Sequence, residues 1–513
     1  MVAGGILLSR LTGLVRQRAL NHFLGLGLEA DAFLAAFRLP NVLQNLLGEG
    51  SLSASFIPVY SRLLANGDRE GARRVAGAVA GLLGVLVGLL VSAGVLLAPV
   101  LVDLLTPGFS GAKRDLTIHL ARILFPGTGL LVMGAWCLGI LNSHHRFFLS
   151  YAAPVAWNLT IIAALLVFGP GAEAGRVAVI AAAAAVVGSL LQFLIQLPGA
   201  WRAVGGGRPS LRWGDPATRE VRRTFLPAVM SRGVAQISSW VDLIIASLLP
   251  TGAVAGLINA QLLYTLPVSL FGMSIAAAEL PAMSRATVSE PDDGALRTRI
   301  DGALARVAFF VVPSAAAFLG LGHLVAGLIF QSGRFSEADA RFVWSILAGS
   351  SIGLLAATSA RIISSALYAM GDTKTPLRIA LIRVTFATIA GFTAARFGPE
   401  VLGIDARWGV AGLTTAGGVA AWLEFVILRA HLRGKIGKFG LPPGRLPRLW
   451  AAALGGLLLA WGGLRAFPAL GTLPAALTGL SLFGAGYLGL TALLGVPQVG
   501  ELVRRLGSVR ENE

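Results

Sequence analysis

Residues 75–105 and 177–197 are runs of apolar side chains interrupted by a single charge, Asp103. Each exceeds the roughly 20 residues that a helix needs to cross a bilayer core, and similar runs recur along the chain. Backbone polar groups in hydrocarbon must be satisfied internally, which leaves helices or a closed barrel. A barrel would be written in short alternating segments instead. The chain therefore reads as an all-α polytopic membrane protein. Composition agrees: 13% of the 513 residues are charged, against roughly 25% in soluble domains.

Fourteen spans are expected, at 3–25, 29–50, 75–105, 116–141, 147–169, 177–200, 224–250, 253–284, 304–331, 342–369, 376–397, 408–432, 447–467 and 473–496. The second continues amphipathically to about residue 64. The opening MVAGGILLSRLTGLVRQR has its arginines after the apolar stretch, the reverse of a secretory leader, so it reads as the first span.

Lysine and arginine orient the spans. One set of alternate loops and the tail carries 26 of them and the opposite loops carry eight, so the first set is expected in the cytoplasm. Both termini are then cytoplasmic. The net charge of +17 is mainly topogenic and implies no nucleic-acid partner.

A repeat crosses the chain. Ser9-Arg10 and Pro58-x-x-Ser61-Arg62 are matched 222 and 223 residues later by Ser231-Arg232 and Pro281-x-x-Ser284-Arg285. Leu141, ending span 4, has a similar counterpart in Leu367, ending span 10. Six spans separate the copies, so the two halves share orientation, as in transporters built from parallel repeats. The expected organisation is a first lobe at 1–200, a cytoplasmic linker at 201–223, a second lobe at 224–434, and a terminal helix pair with a short tail at 435–513.

Several spans carry charge. At about 100° per residue, Asp31, Arg38, Asn45 and Glu49 share one stripe of span 2, covering roughly 27 Å. Asn41 and Pro40 lie in the same stretch. Arg10, Arg16 and Arg18 load span 1, and span 7 adds Arg232, Gln236 and Asp242. Within spans, eight arginines face the acids Asp31, Glu49, Asp103, Asp242, Glu279 and Glu424. A central membrane charge costs at least about 2.5–3.5 kcal/mol, so these groups must pair or line a hydrated cavity. Pairing, such as Asp31 with Arg38, accounts for individual residues but not for the surplus. A wet cationic cavity suits an anionic ligand, and guanidinium forks suit phosphate in particular. Pro40 with Gly48-Glu49-Gly50, and Pro267 with Pro281, read either as kinks satisfied by neighbours or as bending points for alternating access.

Cys137 is the single cysteine, which excludes a disulfide framework or a cysteine metal cluster. His144 and His145 lack further ligands at useful spacing and read as a solvated loop. No Walker A loop, nucleophile elbow, HExxH or paired-acid motif occurs.

Ser9-Arg10-x-x-Gly13-x-x-Arg16, Gly25 through Asp31-Ala32-Phe33, Phe37-Arg38-Leu39-Pro40-Asn41, and Glu49-Gly50-Ser51 through Phe56-Ile57-Pro58-Val59 resemble the MurJ (MviN) family. These are lipid II flippases of the multidrug/oligosaccharidyl-lipid/polysaccharide exporter superfamily. Phe330-Gln331-Ser332-Gly333-Arg334-Phe335 and Gly371-Asp372-Thr373-Lys374-Thr375-Pro376 extend the likeness over essentially the whole chain. The resemblance implies two six-helix lobes around a cationic cavity plus a final helix pair edging a groove for the lipid tail. It implies transfer of undecaprenyl-diphosphate-linked peptidoglycan precursor from the cytoplasmic to the outer leaflet of the bacterial inner membrane, by a transporter and not an enzyme. The implied partners are lipid II, membrane lipids and the cell-wall synthesis machinery.

Arg10, Arg16 and Arg38 take the family's cavity positions, and Asp31 takes its acid. Gln44 and Asn45 stand where many members carry arginines, and span 8 lacks another at Ala260-Gln261-Leu262-Leu263. Arg232 is a charge many members lack, and is expected to compensate from the second lobe. Asp242 could correspond to a sodium-binding acid, but its companion in span 11 is missing. No cofactor or metal is expected. The alternatives are a flippase for another polyprenyl-diphosphate glycan, a drug exporter, or a membrane enzyme acting on polyprenyl phosphates. Arginine surplus opposes the exporter, and the absence of clustered acids opposes the enzyme.

Overall fold

A computed structural model describes residues 2–206, 208–211, 214–289, 294–469 and 471–500, with the side chains at 2–7, 49, 151, 231–239 and 287–289 outside that description. Every extended element among the described residues is helical, and an isolated bridge joins Ser332 to Phe335. The chain forms two compact units: Met1–Ala255 with Ser332–Ser336, and Gly256–Gln331 with Glu337–Glu513. The unit boundary thus falls later than the repeat-based boundary at 224, and expected span 7 belongs to the first unit.

The first unit contains α1 (Val2–Leu24), α2 (Leu28–Leu47), α3 (Glu49–Ala65), α4 (Arg69–Leu96), α5 (Ala98–Leu105), α6 (Gly111–Ser143), α7 (Phe147–Phe168), α8 (Ala174–Val204) and α9 (Pro216–Ser247). Local sequence sets several of these ends. Asp68 caps α4 by accepting the Gly71 N–H at 2.7 Å, and Asp215 caps α9 by accepting the Thr218 N–H at 3.2 Å, with Pro216 at the first helical position. The amphipathic extension of span 2 is α3. It buries Leu52, Phe56 and Tyr60 against Val75 and Val79 of α4 and Ile140 of α6, each large side chain contributing about 1.5–3 kcal/mol. The Trp136 indole N–H reaches the Ala76 carbonyl at 3.2 Å and ties α6 to α4.

The second unit contains most of α10 (Ala253–Pro267), a π-helical turn at Val268–Met273, α11 (Ser274–Ser289), α12 (Gly294–Phe330), α13 (Glu337–Ser351), α14 (Leu354–Ala369), α15 (Lys374–Leu402), α16 (Gly409–Ile436), α17 (Arg445–Ala466) and α18 (Thr472–Leu493). The long helix α12 is its centre, contacting α11, α13, α14, α17 and α18. The Tyr487 hydroxyl donates to the Phe309 carbonyl at 2.7 Å and anchors α18 to α12.

Among the described residues ten helices are long and apolar enough to cross a membrane, or eleven if α13 and α14, bent by 42°, form one span. The three further spans expected from the sequence, 1, 2 and 7, are the helices α1, α2 and α9. Their polarity keeps them out of the apolar set, and they are the spans in which the arginine surplus concentrates.

Some expected continuities fail. Span 3 is divided between α4 and α5, with Pro99 in the first turn of α5, and span 10 breaks at Ile352-Gly353. Pro40 lies inside α2, which continues past it. The interruption comes at Gly48, where a Cβ would sit 2.2 Å from the Gln44 carbonyl oxygen. Only glycine allows that approach. Glu49 thus begins a new helix, and the single polar stripe expected from Asp31 to Glu49 ends before it.

Candidate functional site

Arg16 of α1 is half-buried in the first unit, within a cradle made by α2 and α7. Its guanidinium carbon lies 4.8 Å from the Trp157 ring centroid and 5.9 Å from that of Phe37. The two rings stack at 5.8 Å, and the Trp157 indole N–H is fixed on the Ala185 carbonyl at 2.9 Å. Arg16 Nη1 donates to Asn158 Oδ1 at 3.2 Å. The Asn158 amide nitrogen returns to α1, reaching Thr12 Oγ1 at 3.2 Å and the Ser9 carbonyl at 3.4 Å. Aromatic faces offset part of the cost of holding a cation there, about 0.5–2 kcal/mol each. They leave its positive charge unneutralised. Among the described residues no carboxylate forms an ion pair with Arg16, and its Nε is buried without a hydrogen-bond partner.

Asp31 of α2 behaves oppositely. It is fully buried and forms an ion pair at 2.6 Å with Lys113, in the first turn of α6. It also accepts the Gly252 N–H at 2.8 Å and the Ala255 N–H at 2.7 Å, at the start of α10. A carboxylate at a helix N-terminus is favoured by the exposed N–H groups and the helix dipole. The expected alternative, pairing of Asp31 with Arg38, is replaced by this arrangement. Because span 4 is expected to start at 116, Lys113 is expected in a loop. It instead packs 4.1 Å from the Phe109 ring centroid.

Arg38 is half-buried, and the Asp242 carboxylate of α9 is the acid acting on it. Pro40, Asn41 and Gln44 line a crevice with Phe37, Trp157 and Ser189. Its volume, about 20 Å³, is room for about one water. Arg10 and Asn45 are exposed. The side chains of Glu49 and Arg232 lie outside the described residues. Glu279 belongs to the second unit, where it holds Arg306 at 2.5 Å and Arg299 at 3.6 Å. Those arginines had been read as loop charges, and their contact with Glu279 stitches α11 to α12.

The first unit thus brings Arg16 together with Phe37, and Arg38 with Asp242. Trp157 and Asn158 were missed. The signal available was an amide inside the otherwise apolar span 5, where an unpartnered polar group would be costly.

The model of the family described as lipid II flippase MurJ matches residues 20–461. A probable lipid II flippase MurJ of Vibrio cholerae is 31% identical, covering 97% of this chain and 95% of that protein. The lipid II flippase MurJ of Burkholderia cenocepacia is 30% identical, covering 96% of each. A solved lipid II flippase MurJ in an inward closed conformation superimposes with a TM-score of 0.77 at 20% identity, covering 96% of this chain and 98% of that one. An inward-facing multidrug-resistance MATE transporter of the MOP superfamily follows the same fold, with a TM-score of 0.65 at 21% identity over 82% of this chain and 95% of that one. The chain belongs to the lipid II flippase MurJ family.

Proposed function

We propose that this chain flips lipid II, the undecaprenyl-diphosphate-linked peptidoglycan precursor, from the cytoplasmic to the outer leaflet of the bacterial inner membrane. It is a transporter and not an enzyme. The observation that carries the reading is the state of Arg16: a half-buried guanidinium held by aromatic faces and one amide, with no acid paired to it among the described residues. Four of the acids are engaged elsewhere: Asp31 by Lys113, Asp103 by Arg114, Glu279 by Arg306, and Glu424 by Arg383. A diphosphate is the anion such a site attracts, because its oxygens match a planar fork of donors. Arg10 on α1 and Arg38 on α2 add positive charge to the same two helices, with Asp242 tempering Arg38, and the sequence assigns Arg232 to the same role.

Bias of basic residues supports cytoplasmic termini and the direction of transfer. The repeat supports alternating access, with Gly48 as a bending point. A flippase for another polyprenyl-diphosphate glycan would use the same phosphate chemistry, so headgroup identity is settled by the cell. Depletion in the native bacterium should accumulate lipid II on the cytoplasmic side and end in lysis. Growth with normal precursor turnover after full depletion would refute the proposal, and accumulation of a different lipid-linked glycan would reassign the substrate.

A further inference from the structure

The second unit holds a separate, partly open cavity of about 300 Å³ among α12, α14, α16, the 440–444 loop and the first turn of α17. Leu304, Leu355, Trp422, Phe425 and Leu441 make it apolar on every side. The Trp422 indole N–H is already spent on the Ile352 carbonyl at 2.9 Å. The one charged side chain in the wall is Arg429.

Among the described residues Arg429 forms no ion pair. Its guanidinium carbon lies 5.9 Å from the Phe425 ring centroid. The charged neighbour acting on it is Arg433, a like charge. One acid stands at the loop: Asp301 accepts the Gly440 N–H at 2.6 Å and pins the backbone, forming no ion pair with Arg429. Gly440 has φ +137°, and a Cβ there would stand 3.0 Å from Arg429 Nη2. The loop backbone therefore closes over the guanidinium at a position that favours glycine twice, by conformation and by space. Arg297, Arg433, Lys435, Lys438, Arg445 and Arg448 make this end of the unit strongly basic.

A largely apolar chamber whose one charged wall residue is an arginine outside any ion pair fits a ligand that is apolar along its length and anionic at its head. We propose that the cavity binds an anionic phospholipid, with an acyl chain against Trp422 and Leu304 and the phosphate on Arg429. Basic pockets between membrane helices hold anionic headgroups in this way. The volume corresponds to roughly ten water volumes of about 30 Å³, enough for part of one fatty chain and far short of an undecaprenyl tail. The polyprenyl carrier offers the same phosphate and hydrocarbon, and the test below separates it from the phospholipid proposed here.

Native mass spectrometry of the full-length protein in detergent tests this, with phosphatidylglycerol, phosphatidylcholine and undecaprenyl diphosphate as probes. Wild type should retain one phosphatidylglycerol, favoured over phosphatidylcholine by about fivefold for one basic contact. Arg429→Gln should abolish that preference. Leu441→Trp, a change in the loop that fills the chamber without touching the charge, should reduce retention of both lipids. Wild-type retention in both variants would overturn the proposal. So would displacement of phosphatidylglycerol by equimolar undecaprenyl diphosphate, which would assign the chamber to the carrier. Retention is read without transport, so failure here is distinct from failure of the flippase reading.

Discussion

Two regions of this molecule bury arginine within membrane helices and treat it differently. In the second unit Arg383 of α15 is answered by Glu424 of α16, with Arg383 Nε 3.3 Å from the carboxylate, and Arg361 also acts on that acid. In the first unit Arg16 is answered by two rings and an amide. A membrane arginine with an acid is satisfied by the fold itself. One without an acid is stable only in a polar or aromatic pocket, and it retains its attraction for an anion from outside. The presence of a counterion decides the use of the charge.

The sharpest way to break this contrast is Arg16→Ala. It should abolish complementation of a depleted strain while the protein still inserts, a loss of about ten- to a hundredfold or more for a charged contact of about 1.5–3 kcal/mol. Arg16→Lys should recover activity only partly, since an ammonium keeps the charge but loses the fork. Normal growth on Arg16→Ala would mean that phosphate recognition lies elsewhere.

The first unit also contains a paired charge, which separates structure from function within one region. Lys113→Met leaves Asp31 buried without its cation, and breaking a buried pair costs about 3–5 kcal/mol. The unfolding midpoint in detergent should fall by several degrees, and Asp31→Ala should do the same. A midpoint matching wild type in both would show that the pair contributes nothing to folding.

Glu424→Gln tests the second unit. Arg383 keeps about a third of its side-chain exposure and Arg361 also acts on Glu424, so the loss should be smaller than for the Asp31–Lys113 pair. Complementation should persist. If this variant fails as completely as Arg16→Ala, the pair in the second unit is functional and the contrast dissolves.

Much of this was legible in the sequence. Apolar runs fixed the fold class, and polarity of spans 1, 2 and 7 marked the helices that now stand apart from the apolar set. Arg16 was singled out, but its cradle was not, because Trp157 and Asn158 are brought to it across 142 residues by the packing of α1 on α7. Asp31 was expected to pair along its own helix. Its true partner, Lys113, comes from another, since a one-turn error in where α6 starts turns a buried lysine into a loop charge. The helical wheel carried Glu49 onto the stripe because it assumes an unbroken helix, and Gly48 breaks it.

The smallest effect concerns Gly371-Asp372-Thr373-Lys374-Thr375-Pro376, a stretch that resembles the family and has a structural explanation. Asp372 accepts the Thr375 N–H at 3.0 Å and its hydroxyl at 2.9 Å, capping the start of α15. It also holds Lys435 of α16 at 2.7 Å, and His431 Nε2 lies 3.7 Å away. The Lys435 and Thr375 contacts hold the Asp372 carboxyl well below the usual carboxylate range. A depressed folded-state value means that the contribution is present above the unfolded value, near 3.9, and is lost as pH falls below it. Asp372→Asn should therefore lower the unfolding midpoint modestly at pH 7, and the gap to wild type should narrow as the pH is taken from 4 to 3. Complementation should be unchanged, because this carboxylate ties α15 to α16 and touches no substrate. A gap as wide at pH 3 as at pH 7 would show that Asp372 acts through shape and not charge. A loss of complementation without a shift in midpoint would move the motif from scaffold to transport.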